Sequence, residues 1–98
     1  MTVWKFLLPV IVGSPVAIGL GPFEIEMPRG ASVLAVAMQE NDPVLWALVD
    51  PKQPMEKRRF LLAGTGEREI PAKGFLYVGT FQMRWFVGHV FQEWAWDA

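Results

Sequence analysis

From residue 32 onward the chain consists of short apolar runs, each closed by residues that turn a backbone. The runs cover Ser32–Gln39 and residues 44–49, 58–63, 75–81 and 85–91. Between them stand Glu40-Asn41-Asp42-Pro43, Asp50-Pro51-Lys52-Gln53-Pro54, Gly64-Thr65-Gly66 and Gln82-Met83-Arg84. Runs of this length bounded by Gly, Pro, Asn and Asp are the mark of strands. A chain of 98 residues has room for one domain. The expectation is a single all-β domain over residues 1–98, an antiparallel sandwich or small barrel of six to seven strands.

Individual runs sharpen this reading. Phe23-Glu24-Ile25-Glu26-Met27 alternates apolar with acidic, the period of a half-exposed strand, and Pro28-Arg29-Gly30 turns the chain. Over Ser32–Gln39 the alanines favour a helix, but the short run and its flanking turns decide for a strand. Asn41-Asp42-Pro43 is read as a turn leading into residues 44–49, which are apolar on both faces and read as a central strand with Trp46 buried. Asp50-Pro51 ends it, because proline lacks the ladder N–H and Asp closes a local turn. The uncharged segment 6–23 is about long enough to span a bilayer, and Lys5 precedes it as in a signal peptide. Pro9, Pro15, Pro22, Gly13, Gly19 and Gly21 oppose that reading, since each interior proline costs a helix about 3 kcal/mol and each glycine about 1 kcal/mol. Two buried strands, 4–12 and 16–20, are expected there, with no membrane association.

Composition removes several chemistries. Apolar residues make up 52% of the chain and aromatics 13%, enough for a core and against disorder. Cysteine is absent, which excludes disulfides, zinc-thiolate sites and thiol nucleophiles, and leans toward a reducing cytoplasm. A net charge of -1 gives no reason to expect nucleic acid as a partner. His89, the one imidazole, shares a strand face with Val87 and Phe91, and no Ser or Asp constellation lies near it in sequence; a buried histidine bonded within the sheet is the expectation. Gly64-Thr65-Gly66 is not followed by Lys-Ser/Thr, and Glu67 and Glu69 would repel an anion. A β-connection with positive φ fits it better than a phosphate loop. Glu24 and Glu26 share a strand face but read as a solvated surface; neither metal nor cofactor is expected.

Two features remain as binding candidates. Lys57, Arg58 and Arg59 are the basic cluster, on what reads as a solvated edge. Trp94 and Trp96 follow the last strand beside Glu93 and Asp97, and two indoles near a terminus either fold onto the core or meet a partner or second copy.

Taken together, Val3-Trp4-Lys5-Phe6, Met27-Pro28-Arg29-Gly30-Ala31, Leu45-Trp46-Ala47-Leu48-Val49-Asp50-Pro51, Glu56-Lys57-Arg58-Arg59-Phe60, Gly64-Thr65-Gly66, Leu76-Tyr77-Val78-Gly79-Thr80-Phe81-Gln82 and His89-Val90-Phe91 form an ordered set. In this set the chain resembles a family of small uncharacterised proteins encoded by bacteriophages and prophages. The match runs from Met27 to Glu93 and is weaker at the N-terminus; around residues 9–22 the chain departs from the pattern with extra apolar residues. The resemblance implies a phage origin and the host bacterial cytoplasm, and it brings no catalytic residues.

The function expected is therefore that of a phage-encoded accessory protein, not an enzyme. It would bind a host or phage protein stoichiometrically, inhibition of a bacterial defence system being one form, with homo-oligomerisation open. Lys57, Arg58, Arg59, Trp94 and Trp96 are the residues expected to make contact. One alternative is a protein that sequesters a small ligand such as a nucleotide signal, using Trp46, Trp85, Tyr77, Arg58 and Arg59. Another is a minor structural or assembly protein.

Overall fold

A computed structural model describes residues 1–9, 21–66, 70–71, 73–83 and 86–94. Seven strands follow one another: β1 Thr2–Leu7, β2 Gly21–Pro28, β3 Ser32–Gln39, β4 Asp42–Val49, β5 Met55–Gly64, β6 Phe75–Met83 and β7 Phe86–Glu93. They form a three-stranded sheet of order β1-β4-β3 and a four-stranded sheet of order β2-β5-β7-β6, with every pair antiparallel. The domain is a small all-β sandwich. The expected strand 16–20 and residues 10–12 of the expected strand 4–12 lie outside the described residues, as do Trp85 and Trp96. Within 4–9 the strand ends at Leu7, and β1 is mostly exposed where a buried strand was expected, because it is the edge of its sheet. Among the described residues no helix is long and apolar enough to cross a membrane.

The turns follow from the residues that make them. At Pro28-Arg29-Gly30 the Ala31 N–H donates to the Pro28 carbonyl at 3.1 Å, and Gly30 takes φ +79°, the left-handed conformation glycine adopts without a Cβ clash. Asp50 closes the next turn, as expected, by accepting at 3.1 Å from the Lys52 N–H through its side chain and at 3.0 Å from the Gln53 N–H through its carbonyl. The β3–β4 hairpin corrects the sequence reading. Gln39 pairs with Asp42, so the turn is Glu40-Asn41 alone, and Glu40 has the positive φ of 56° that a tight hairpin demands. Asp42 and Pro43 already belong to β4. Proline is tolerated there because it lies next to the strand start and contributes its carbonyl, which accepts from the Leu8 N–H at 3.0 Å.

The core lies between the sheets. Leu45, Ala47 and Val49 of β4 meet Met27 of β2, Phe60 and Leu62 of β5, Phe81 of β6 and Phe86 and Val90 of β7. Phe23 stacks on Phe60 with centroids 5.4 Å apart. Burying each of the larger side chains contributes about 1.5–3 kcal/mol. β4 is the central strand of its sheet, as expected, but its face away from the core is only partly buried: Val44 is enclosed there, while Trp46 and Leu48 stay half-buried.

Bulges shape the β3 and β6 edges. The register shifts between Val33 and Ala35 on β3 and between Tyr77 and Gly79 on β6. These two strands, from different sheets, lie against each other. Gly79 permits the approach, since a Cβ there would stand 3.2 Å from the Val36 Cβ. On β7, Gly88 leaves space for the Phe81 ring, whose Cζ would be 2.5 Å from an added Cβ.

Candidate functional site

β5 carries the basic cluster, and its neighbours determine what that cluster can do. β2 pairs with β5 over Met55–Leu62 on one side, but β7 pairs only with Phe60–Gly64 on the other, so residues 57–59 lie outside the β7 ladder, with Lys57 and Arg59 exposed. In the β2–β5 register Glu24 stands opposite Arg59 and Glu26 opposite Lys57. Opposite charges across an antiparallel pair are mutually favourable. This register also explains the Glu24/Glu26 pair without a metal. Among the described residues no three His, Asp or Glu side chains gather closely enough to hold a metal ion.

Arg59 also faces β7, with Nε 3.6 Å from Glu93 Oε1. Glu24, Arg59 and Glu93 thus form a charged row across three strands. Arg58 is different: half-buried, it shares the strand parity of core Phe60 and is held from three sides. Its Nη1 donates to the Ala31 carbonyl at 2.9 Å, its Nη2 to Gln92 Oε1 at 3.4 Å, and Glu56 Oε2 lies 3.8 Å from Nη1. Glu56 in turn is 4.0 Å from Arg29 Nε. The fork of a guanidinium suits such multiple holding; a lysine offers only a point charge.

The structure brings Lys57, Arg58, Arg59 and Trp94 together on one cleft of about 540 Å³. Glu24, Glu56 and Glu93 line it too, with Leu76, Gln92 and the Gly30-Ala31 turn. Trp94 is fixed at its backbone, its N–H donating to the Gly74 carbonyl at 2.7 Å, while the residue remains 51% exposed. Leu76 beside it is 42% exposed. The cleft therefore offers a positioned indole and an aliphatic side chain among three cations and three carboxylates. Trp96 lies outside the described residues.

Of the aromatic set expected for a small-ligand pocket, Trp85 lies outside the described residues, and the other two members stand apart from this cleft. Trp46 belongs to the other sheet and points away from the core, and neither it nor Tyr77 lines the cleft. The Tyr77 hydroxyl is bonded to Thr80 Oγ1 at 2.6 Å. Residues that the sequence did not single out, Leu76, Gln92 and Glu56, complete the cleft. The strict alternation of Glu24 and Glu26 was one available signal, because it announces a charged face needing opposite charges on a neighbour.

His89 has a satisfied environment. Its Nε2 lies 2.7 Å from Thr65 Oγ1 and its Nδ1 3.0 Å from Thr80 Oγ1, so both ring nitrogens meet hydroxyls. The ring is half-buried, on the side of the sheet opposite to core Val90, which corrects the fully buried histidine expected. Thr65 comes from the Gly64-Thr65-Gly66 connection, where Gly66 has the anticipated positive φ of 76°. These two hydroxyls fix the orientation of the imidazole ring.

Comparison with known proteins gives a family and no activity. Residues 1–97 match the family model of a domain of unknown function, DUF7352. No curated protein and no solved structure matches the chain.

Proposed function

On the premise that the chain belongs to the DUF7352 family, we propose that it is a phage-encoded accessory protein that works by binding a protein partner through the Lys57–Arg59/Trp94 cleft. The observation that carries this reading is the balance of the cleft: exposed Trp94 and Leu76 sit among Lys57, Arg58 and Arg59 on one side of the ledger and Glu24, Glu56 and Glu93 on the other. Trp and Arg are the residue types that dominate protein interfaces, and a charged rim around an apolar anchor fixes orientation and excludes wrong partners. The phage origin and the host cytoplasm rest on the sequence resemblance, and a component of a bacterial defence system is the partner class proposed.

A second reading has one observation in its favour. A cleft of about 540 Å³ with two arginines has the size of a small-molecule site, which suits a nucleotide signal. The three carboxylates oppose it, because they cancel the field an anionic ligand needs.

Affinity capture from host lysate with the parent chain and with Trp94→Ala and Arg59→Ala variants, followed by mass spectrometry and reconstitution, separates the two. A protein recovered at one copy per chain with the parent and lost with both variants supports the first reading. A co-purifying nucleotide with no protein partner supports the second.

A further inference from the structure

The edges of the two sheets are not equally defended. β2 carries Pro22 and Pro28 together with Glu24 and Glu26, and β3 and β6 carry bulges and lie against each other. Proline, charged side chains and bulges are the devices that keep exposed strands from pairing with other chains. β1 has neither proline nor bulge, and its one charge, Lys5, donates at 2.6 Å to Gln39 Oε1 of β3, across β4 from the open edge. The strand is TVWKFL, regular over six residues in its pairing with β4, and among the described residues it pairs on that side only. Met1, Val3, Trp4 and Leu7, at 76%, 52%, 36% and 64% exposure, concentrate apolar surface along it.

The direction of its unused hydrogen bonds follows from the ladder. Leu8 donates to the carbonyl of Pro43, the residue opposite it when the β1–β4 register is continued. In an antiparallel ladder the residues bonded to the partner alternate with residues bonded to the other side. The even-numbered residues of β1 therefore serve β4, and Val3, Lys5 and Leu7 turn their N–H and C=O groups to the open edge.

We propose that β1 pairs with β1 of a second copy of this chain, antiparallel about a two-fold axis through Trp4, joining two three-stranded sheets into one of six strands. A two-fold perpendicular to the sheet keeps both cores on the same side and requires opposed residues of equal parity. A two-fold centred on any residue of β1 meets this condition, and those centred on Val3, Trp4 and Lys5 keep the longest overlaps. Centring on Lys5 places two ammonium groups opposite each other, and centring on Val3 shortens the overlap. Centring on Trp4 pairs Met1 with Leu7, Thr2 with Phe6 and Val3 with Lys5, so no like charges meet. The hydrogen-bonded pairs then fall on Val3 and Lys5, whose backbone groups face the edge. Trp4 meets Trp4 in a non-hydrogen-bonded pair, where side chains approach most closely.

The register is tested directly because the chain has no cysteine. At the two-fold, opposed Cα atoms stand about 4.5 Å apart, within the roughly 4.4–6.8 Å that a disulfide bridges. Trp4→Cys should oxidise to a covalent dimer, while Lys5→Cys, two positions out of register with its own copy, should stay single. Sedimentation of the parent should give twice the mass of one chain. Val3→Pro, which removes an edge N–H and none of the β1–β4 bonds, should give a single-chain mass with the melting temperature within a few degrees. A parent that sediments as a single chain at every concentration, a dimer that survives Val3→Pro, or cross-linking at Lys5→Cys in preference to Trp4→Cys would overturn the proposal.

Discussion

Arg58 donates from Nη1 to the carbonyl of Ala31 at 2.9 Å, tying β5 to the turn between β2 and β3. That bond fixes the floor of the cleft, because Ala31 is buried and its carbonyl would otherwise lack this partner. Arg58→Ala should therefore lower stability by about 1–3 kcal/mol, the range for a hydrogen bond to a charged group. Arg58→Lys should recover part of it, since one ammonium cannot span Ala31 and Gln92 together. Urea unfolding of the three proteins measures this, and coincident midpoints would show that the bond contributes nothing.

Two glycines should fail for different reasons. Gly88→Ala places a Cβ 2.5 Å from Phe81 Cζ and 2.9 Å from Phe86 Cε2, both rings being buried. Overpacking of this kind costs about 1–3 kcal/mol. Gly66→Ala meets no atom within 4 Å but must hold φ near +76°. That conformation costs an L-residue about 1–2 kcal/mol. Substituting Asn, which tolerates this conformation, should rescue position 66 and not position 88, as thermal unfolding will show.

Adjacent residues on β4 should differ in cost. Leu45 is fully buried, and Leu45→Ala is expected to cost about 2–5 kcal/mol. Trp46 is half-buried on the opposite face, so Trp46→Ala should cost less than Leu45→Ala despite removing a larger side chain. The reverse order in denaturant midpoints would mean that the face of the sheet carrying Trp46 is enclosed.

This pair also marks what the sequence could convey. Short runs and turn residues were enough to place Ser32–Gln39 to the residue and the later strands to within a few positions. An apolar run such as 44–49 says nothing about how many layers surround it, so the half-exposure of Trp46 was not legible. Nor was the cleft. Lys57, Arg58, Arg59 and Trp94 were visible as candidates, but the pairing of β5 between β2 and β7 was not, because register depends on contacts distant in sequence. For the same reason Thr65 and Thr80 stood apart from His89 until the strands were paired.

The hydroxyls around His89 should act on stability as a unit. Thr80→Val and His89→Phe are expected to couple by about 0.5–1.5 kcal/mol in a double-mutant cycle, the net range for one hydrogen bond. Additive effects within error would show that the 3.0 Å contact between Thr80 and His89 does not persist in solution.

The cleft as a protein-binding surface is tested most directly by calorimetric titration of the reconstituted partner into the parent, Trp94→Ala, Arg59→Ala and a control, Leu34→Ser, exposed on the other sheet. The account predicts one partner per chain and a loss of affinity of about tenfold or more in both cleft variants. It also predicts an unchanged affinity in the control and melting temperatures within a few degrees of the parent throughout. Unchanged affinity in Trp94→Ala and Arg59→Ala, or an equal loss in Leu34→Ser, would contradict it.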